Sequence, residues 1–121
     1  MEIYGREYGF KLTVGASSDI SEFCPDGDIK RVGEVLSGGF AKTVKAGSAF
    51  VCALSRGYEE ARSFEEPGYV PAPLTPEIMR SLDMDTYRQV MSDAMSAFVR
   101  DQKTTVEVEP AKKNEGAGAG A

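Results

Sequence analysis

The sequence predicts an α+β fold that is mainly α, with an N-terminal β-hairpin packed on a small bundle of about four to five helices. Apolar and other residues alternate near the N-terminus, and apolar residues recur at helical spacing from the middle of the chain onward. The chain ends in a low-complexity Gly-Ala run that buries too little apolar surface to order itself. We therefore expect one globular domain over residues 1–103 and a flexible, disordered tail over residues 104–121.

The N-terminal hairpin is predicted over residues 1–15, with its turn at residues 5–7. In the second half, residues 8–14, apolar side chains alternate with others, as expected of a strand with one buried face. An isolated hairpin is only marginally stable, so helices have to cover that face. This places Phe10 and Leu12 in the predicted core.

Residues 17–64 are predicted to be helical. A first helix covers residues 17–24 and has three side chains near its start that are able to cap it, namely Ser17, Ser18 and Asp19. Residues 25–27, Pro-Asp-Gly, interrupt the pattern. Asp28 then caps a second short helix, which reaches residue 36.

The longest predicted helix runs from Phe40 to Phe64. Its apolar residues recur at alternating steps of four and three, the heptad-like stripe of a helix with one buried face. The stripe consists of Phe40, Val44, Gly47, Val51, Leu54, Tyr58 and Ala61. From it we assign four residues to the core: Phe40, Val44, Val51 and Leu54.

A proline-rich segment, residues 65–74, is predicted to be an extended linker. Residues 75–77, Thr-Pro-Glu, then form a helix start with a cap, a proline in the first turn and an acid. They open the predicted C-terminal helices of residues 75–103. Beyond them the periodicity stops, and residues 104–109 alternate as in a short strand.

The last helix is predicted over residues 86–102, capped by Asp83 or Asp85. Its stripe is the clearest amphipathic pattern in the chain, and methionines crowd it and the preceding helix. Methionine suits surfaces that accept varied apolar partners. A small domain cannot bury every apolar stripe, so part of this one is a candidate groove. We therefore assign to partner binding, with core packing as the alternative, Tyr87, Met91, Met95 and Phe98.

The composition argues against most catalytic chemistries. The chain has no histidine, which excludes a Ser-His-Asp or Cys-His arrangement within it. Acidic pairs are numerous, but their spacing marks none of them as a catalytic pair. Residues 37–43 share only the Lys-Thr pair with the motif of a phosphate-binding loop. We expect a non-enzymatic protein without a cofactor.

Charge and cysteine content restrict the partners further. The formal net charge is −5, and no basic stripe is visible, which argues against a nucleic-acid partner. Cys24 and Cys52 lie among apolar neighbours without metal-ligand spacing, so we expect buried free thiols, with a disulfide as the alternative. Neither a signal peptide nor a membrane span is predicted, so we expect a cytoplasmic location without membrane association.

Two acidic clusters have simple interpretations. Asp26 and Asp28 flank a glycine, but the further ligands of a calcium loop are missing, so a turn and a helix cap explain them better. A second cluster lies near the end of the long helix and contains Glu59, Glu60, Glu65 and Glu66. We interpret it as a solvated helix end, with a docking patch for a basic partner as the alternative.

Four features in chain order carry a family resemblance over residues 2–109. They are the start Ile3-Tyr4-Gly5-Arg6-Glu7-Tyr8-Gly9-Phe10-Lys11-Leu12, the helical middle of residues 29–36 and 40–58, the Pro-rich break before Leu74-Thr75-Pro76-Glu77, and the terminal amphipathic helix with its charged tail. In these features the chain resembles the tail assembly chaperones of long-tailed (siphovirus-like) bacteriophages and prophages. The match is one of pattern, without an invariant motif.

The resemblance implies a role and partners. Such chaperones coat the tape measure protein, keep it soluble, help to recruit tail tube subunits, and are absent from the finished virion. Many are made in two lengths by a programmed ribosomal frameshift. Codons for residues 112–114, Lys-Lys-Asn, are compatible with a slippery site, and an ordinary tail is the alternative. We expect a cytoplasmic protein of the bacterial host. Apart from the resemblance, the edge of the N-terminal hairpin would allow copies to pair along the target.

Two other interpretations stay open. A structural phage component, such as a head-tail connector or a tail terminator, would remain in the mature particle. A regulatory or adaptor protein unrelated to phage would be encoded among different neighbouring genes. Both are binding proteins, so the absence of a catalytic pattern does not separate them from a chaperone.

Overall fold

The computed structural model describes the backbone of residues 1–113 and the side chains of residues 1–102. The α-helices in this part are α1 (Val14–Glu22), α2 (Val32–Val35), α3 (Phe40–Glu65), α4 (Pro76–Ser81) and α5 (Met84–Lys113). Two strands precede them, β1 (Glu2–Ile3) and β2 (Arg6–Glu7), and short 3-10 turns span Pro25–Gly27 and Ile29–Arg31. The predicted fold class, mainly α with an N-terminal hairpin, is confirmed.

The hairpin is shorter than predicted. β1 and β2 pair antiparallel, with Ile3 opposite Arg6. The two residues between them, Tyr4 and Gly5, have φ values of 50° and 78°. Positive φ at both central residues is the geometry of the tight hairpin turn whose twist matches that of paired strands. The turn therefore lies one residue earlier than the predicted turn at residues 5–7.

Residues 8–13 form an extended segment over α3 rather than a strand. The predicted alternation is correct, since Tyr8 and Phe10 are buried and Leu12 is partly buried against the core. Tyr8 still pairs with Met1, whose carbonyl oxygen accepts from the Tyr8 N–H at 2.8 Å. Within the described residues no strand pairs with residues 9–13, and the backbone N–H of Lys11 donates instead to the carbonyl oxygen of Leu54 at 3.1 Å. Apolar alternation therefore marks the buried face here without a sheet.

Gly57 is the reason that this segment can approach α3 so closely. A Cβ atom at Gly57 would lie 2.5 Å from the carbonyl oxygen of Lys11 and 2.8 Å from Oγ1 of Thr13. Only glycine therefore fits beneath the segment without a shift of its backbone. α3 continues past this glycine to Glu65.

Substitution of Gly57 by alanine is expected to lower the free energy of unfolding by about 1 to 3 kcal/mol, the usual cost of overpacking. The backbone of Lys11 would have to move, and this outweighs the roughly 1 kcal/mol that alanine gains over glycine in a helix. Urea unfolding followed by circular dichroism measures the change. Gly33, a glycine of α2, is the matched control because nothing lies within 4 Å of an added Cβ. Equal effects at both positions would contradict the close approach.

α1 begins earlier than predicted because Thr13 caps it. Thr13 has an extended backbone, and its side chain accepts a hydrogen bond from the N–H of Ala16 at 3.1 Å. The predicted caps, Ser17, Ser18 and Asp19, therefore lie inside the helix. Asp19 forms an ion pair with Arg56 of α3, which α1 contacts along its length.

The predicted caps of the later helices are correct. Asp28 accepts a hydrogen bond from the N–H of Lys30, although a 3-10 turn precedes α2. Thr75 accepts from the N–H of Ile78 at the start of α4. Asp83 accepts from the N–H of Thr86 at 2.8 Å, which identifies it as the cap of the last helix.

The core surrounds the middle of α3, and four of the six predicted core residues belong to it. Val51 and Leu54 are fully buried, Phe10 is 8% exposed, and Leu12 packs against the core from its edge. The assignment of Phe40 to the core is wrong, since its side chain is 64% exposed. Val44, also predicted as core, is half-buried outside the core cluster.

The failure at Phe40 and Val44 has one cause. The first buried residue of α3 is Gly47, so the first two turns of the helix extend beyond the elements that cover its middle. Periodicity defines which side of a helix is apolar, but the covered length depends on the neighbouring helices. The first two turns are thus apolar on one side and only partly covered.

α5 continues past its predicted end at residue 102 and is helical to Lys113. The short strand predicted at residues 104–109 is therefore wrong. A strand needs a pairing partner, whereas an existing helix extends at little cost per residue. The predicted flexible tail, residues 104–121, overlaps this helix, and residues 114–121 lie outside the described residues.

Candidate functional site

Glu59 of α3 is the most buried charged residue in the described structure, at 1% exposure. Its Oε1 atom accepts three hydrogen bonds, from the Tyr69 hydroxyl at 2.6 Å, the Ala72 N–H at 2.9 Å and Nη2 of Arg6 at 3.1 Å. The other three glutamates of the predicted acidic cluster are exposed. The interpretation as a solvated helix end is therefore wrong for Glu59.

This Glu59 cluster joins three parts of the chain. Arg6 belongs to β2, Glu59 to α3, and Tyr69 and Ala72 to the proline-rich segment. The hydrogen bond to Glu59 raises the pKa of the Tyr69 phenol. Oε2 of Glu59 and Nε of Arg6 are buried and have no hydrogen-bond partner. The cluster fixes the hairpin and the segment on the central helix.

The C-terminal part of the predicted proline-rich linker is consequently packed on α3, whereas Val70 in the same segment is 76% exposed. Leu74 is 2% exposed, and its N–H donates to Oγ of Ser55 at 2.8 Å. Ser55 and Glu59 lie one turn apart on α3 and are both buried. A segment without regular structure still needs partners for its buried backbone groups. Polar residues four apart on the apolar side of a helix are the sequence signal for such a contact.

The described residues contain neither a candidate metal site nor a helix that could span a membrane. No group of three or more His, Cys, Asp or Glu side chains in this part could hold a metal ion. None of the described helices combines the length and the apolar composition needed to span a membrane. Cys24 and Cys52 are buried free thiols, as predicted, and burial raises the pKa of Cys52 to about 11.

The residues predicted to bind a partner on α5 divide into three groups. Tyr87 and Met91 lie over Gly47, whose Cβ would be 2.6 Å from the Tyr87 hydroxyl, so both fill the contact between α3 and α5. Burial raises the pKa of Tyr87. Phe98 is 4% exposed and meets Phe50 edge-on, with 5.2 Å between ring centroids. Phe98 is thus a core residue, and its assignment to the partner surface is wrong.

Met95 is the fourth of these residues and lies at the edge of the core. It is half-buried, and Val99, one turn further along α5, is 53% exposed. Together with Ser92, Ser96 and Arg100 they line a shallow depression, which we call the α5 patch. Arg100 is ion-paired with Asp101, so the patch is apolar at its centre and polar at its margin.

A second surface, which we call the α3–α4 groove, lies between the start of α3 and α4. Its volume is about 570 Å³, and it is lined by Ala41, Val44, Lys45, Ser48, Ala49, Pro76 and Arg80. Val44, predicted as core, lies in this groove. The groove exists because the first turns of α3 extend past the packed middle of the helix.

Comparison with protein-family models, with curated proteins and with solved structures gave no match to this chain.

Proposed function

We propose that this protein is a non-catalytic tail assembly chaperone of a long-tailed phage or prophage. In this role it binds the tape measure protein, keeps it soluble and helps to recruit tail tube subunits in the cytoplasm of the bacterial host. The α5 patch is the observation that carries the proposal, together with the family resemblance described above. Neither a cofactor nor a nucleic acid is required.

The α5 patch suits a helical partner. Met95 and Val99 are four residues apart on one helix and therefore lie one above the other. An amphipathic helix presents its apolar residues with the same spacing, so it can lie along this face. Methionine adapts its side chain to different apolar shapes, which suits a long target with many non-identical segments.

The other proposed features follow from the same role. Self-association would allow several copies to cover one long target. A longer frameshifted form would supply the contact with the tail tube protein. The protein would be absent from the mature virion, and mass spectrometry of purified particles would distinguish it from a structural component that remains there. Neighbouring genes of other kinds would favour a regulatory or adaptor protein.

The substitution Met95→Asp is expected to weaken binding of the partner by about tenfold or more, because it places a charge at the apolar centre of the patch. Isothermal titration calorimetry with a helical fragment of the partner measures the affinity. Met84→Asp is the matched control, since Met84 is a 44% exposed methionine at the start of the same helix. Unchanged affinity of the Met95 variant, or a loss of folding stability as large as the loss of affinity, would contradict this assignment.

A further inference from the structure

The α3–α4 groove combines an apolar floor with a cationic rim. Ala41, Val44 and Ala49 of α3 face Pro76 of α4 across it. Small side chains at these positions allow another helix to approach closely. The α3 residues of the groove extend over about two helical turns, which matches about two turns of a partner helix.

Two exposed cations, Lys45 and Arg80, lie at the edge of this floor. Among the side chains of residues 1–102, every other arginine is paired with a carboxylate: the pairs join Arg6, Arg31, Arg56, Arg62, Arg88 and Arg100 to acidic partners. Arg80 has no such pair within that part of the chain, and Lys45, like Lys11, Lys30 and Lys42, has none either. In a protein of net charge −5, carboxylates are abundant, so these two cations are available to an acidic ligand.

We propose that the α3–α4 groove binds an amphipathic helix of a partner protein whose polar flank is acidic. The apolar side of that helix lies on Val44 and the neighbouring alanines, and its carboxylates pair with Lys45 and Arg80. Binding buries apolar area, while the two ion pairs determine orientation and the choice of partner. The net charge of −5 disfavours non-specific binding of the same acidic ligand elsewhere on the protein.

This inference goes beyond the proposed chaperone function and does not depend on it. The groove shares no residue with the α5 patch, so one copy of the protein has two separate candidate binding surfaces. A protein with two such surfaces can connect two different partners.

The test uses the full chain and two fluorescent helical peptides of about 18 residues, long enough to hold helical structure. Both have the same leucine positions, but one has glutamates on its polar flank and the other has lysines. Fluorescence anisotropy is expected to show that the glutamate peptide binds about tenfold more tightly or better, with a preference that decreases as salt is added. Equal affinities for the two peptides would overturn the proposal.

Variants connect this binding to the groove. The double variant Lys45→Glu with Arg80→Glu is expected to reverse the preference between the two peptides. Its control, Lys30→Glu with Arg88→Glu, makes the same change in net charge away from the groove and is expected to keep the preference. If the preference between the peptides reverses in both double variants, net charge alone explains it, and the proposal is overturned.

Two further experiments distinguish binding at this groove from binding at the α5 patch and from occupation of the groove by a second copy of the protein. Met95→Asp changes the α5 patch for both peptides alike and is expected to keep the preference for the glutamate peptide, so failure of the chaperone proposal and failure of this one are distinguishable. Light scattering of the protein without peptide tests a second copy as the occupant. A dimer that Val44→Asp converts to a monomer, without any effect on peptide binding, would overturn the proposal.

Discussion

Replacement of Val51 by aspartate is expected to leave the protein unfolded at room temperature. Val51 is fully buried in the middle of α3, between the equally buried Phe50 and Leu54. Aspartate is close to valine in size, so the change removes little volume and mainly introduces a charge without a partner. An unpaired buried charge costs several kcal/mol. Small domains are stable by only about 5 to 15 kcal/mol.

Circular dichroism and thermal unfolding measure this effect. Val14→Asp is the matched control, because Val14 is an 89% exposed helical valine, and it is expected to unfold at the wild-type temperature. If Val51→Asp yields no protein, Val51→Ala keeps the prediction testable, with an expected loss of about 2 kcal/mol from the lost methyl groups and the cavity. A Val51→Asp variant with the wild-type melting temperature would refute the position of the core.

Glu59→Ala is expected to reduce the free energy of unfolding by about 2 to 4 kcal/mol. The substitution leaves the Tyr69 hydroxyl and the Ala72 N–H without their acceptor, and it removes the ion-pair partner of Arg6. Arg6 is 40% exposed, so water compensates part of its loss, and most of the effect comes from the buried donors. Chemical unfolding of the purified variant measures the change.

Glu60→Ala is the matched control for this prediction. Glu60 is the next residue on α3, has the same charge and is exposed, so its removal is expected to change stability by less than about 0.5 kcal/mol. Glu59→Gln is expected to lie between the two, because its amide oxygen still accepts hydrogen bonds but no longer neutralises Arg6. Equal effects at positions 59 and 60 would show that the buried cluster does not hold the segments together.

Local sequence signals predicted much of the helical framework. The bounds of α3, the caps Asp28, Thr75 and Asp83, and the burial of Val51 and Leu54 follow from helical periodicity and capping chemistry. These features depend on residues within one or two turns of each other. Local rules are therefore sufficient for them.

Features that depend on distant parts of the chain were not predictable in this way. Gly57 looks like a helix defect in the sequence, but it makes room for the backbone of Lys11. Glu59 looks like one of several exposed acids until the proline-rich segment covers it. Each requires the position of a segment more than ten residues away, which neither periodicity nor composition provides.

In the candidate surfaces, too, the local pattern was predictable from the sequence and the tertiary contacts were not. The stripe on α5 placed Met95 and Phe98 in one predicted group, yet the structure places Phe98 against Phe50 and leaves Met95 at the edge. The α5 stripe also contains Val90, Ala94 and Val99, so it is wider than the contact with one neighbouring helix. Which residues remain outside that contact depends on the crossing of α3 and α5 at Gly47.

The most direct test of the proposed function is co-expression with the largest protein encoded nearby. We expect that a long, otherwise insoluble chain becomes soluble, co-purifies with this protein, and loses both properties with Met95→Asp but not with Met84→Asp. If the long protein stays insoluble and unbound beside the wild-type protein, the proposed chaperone function is contradicted.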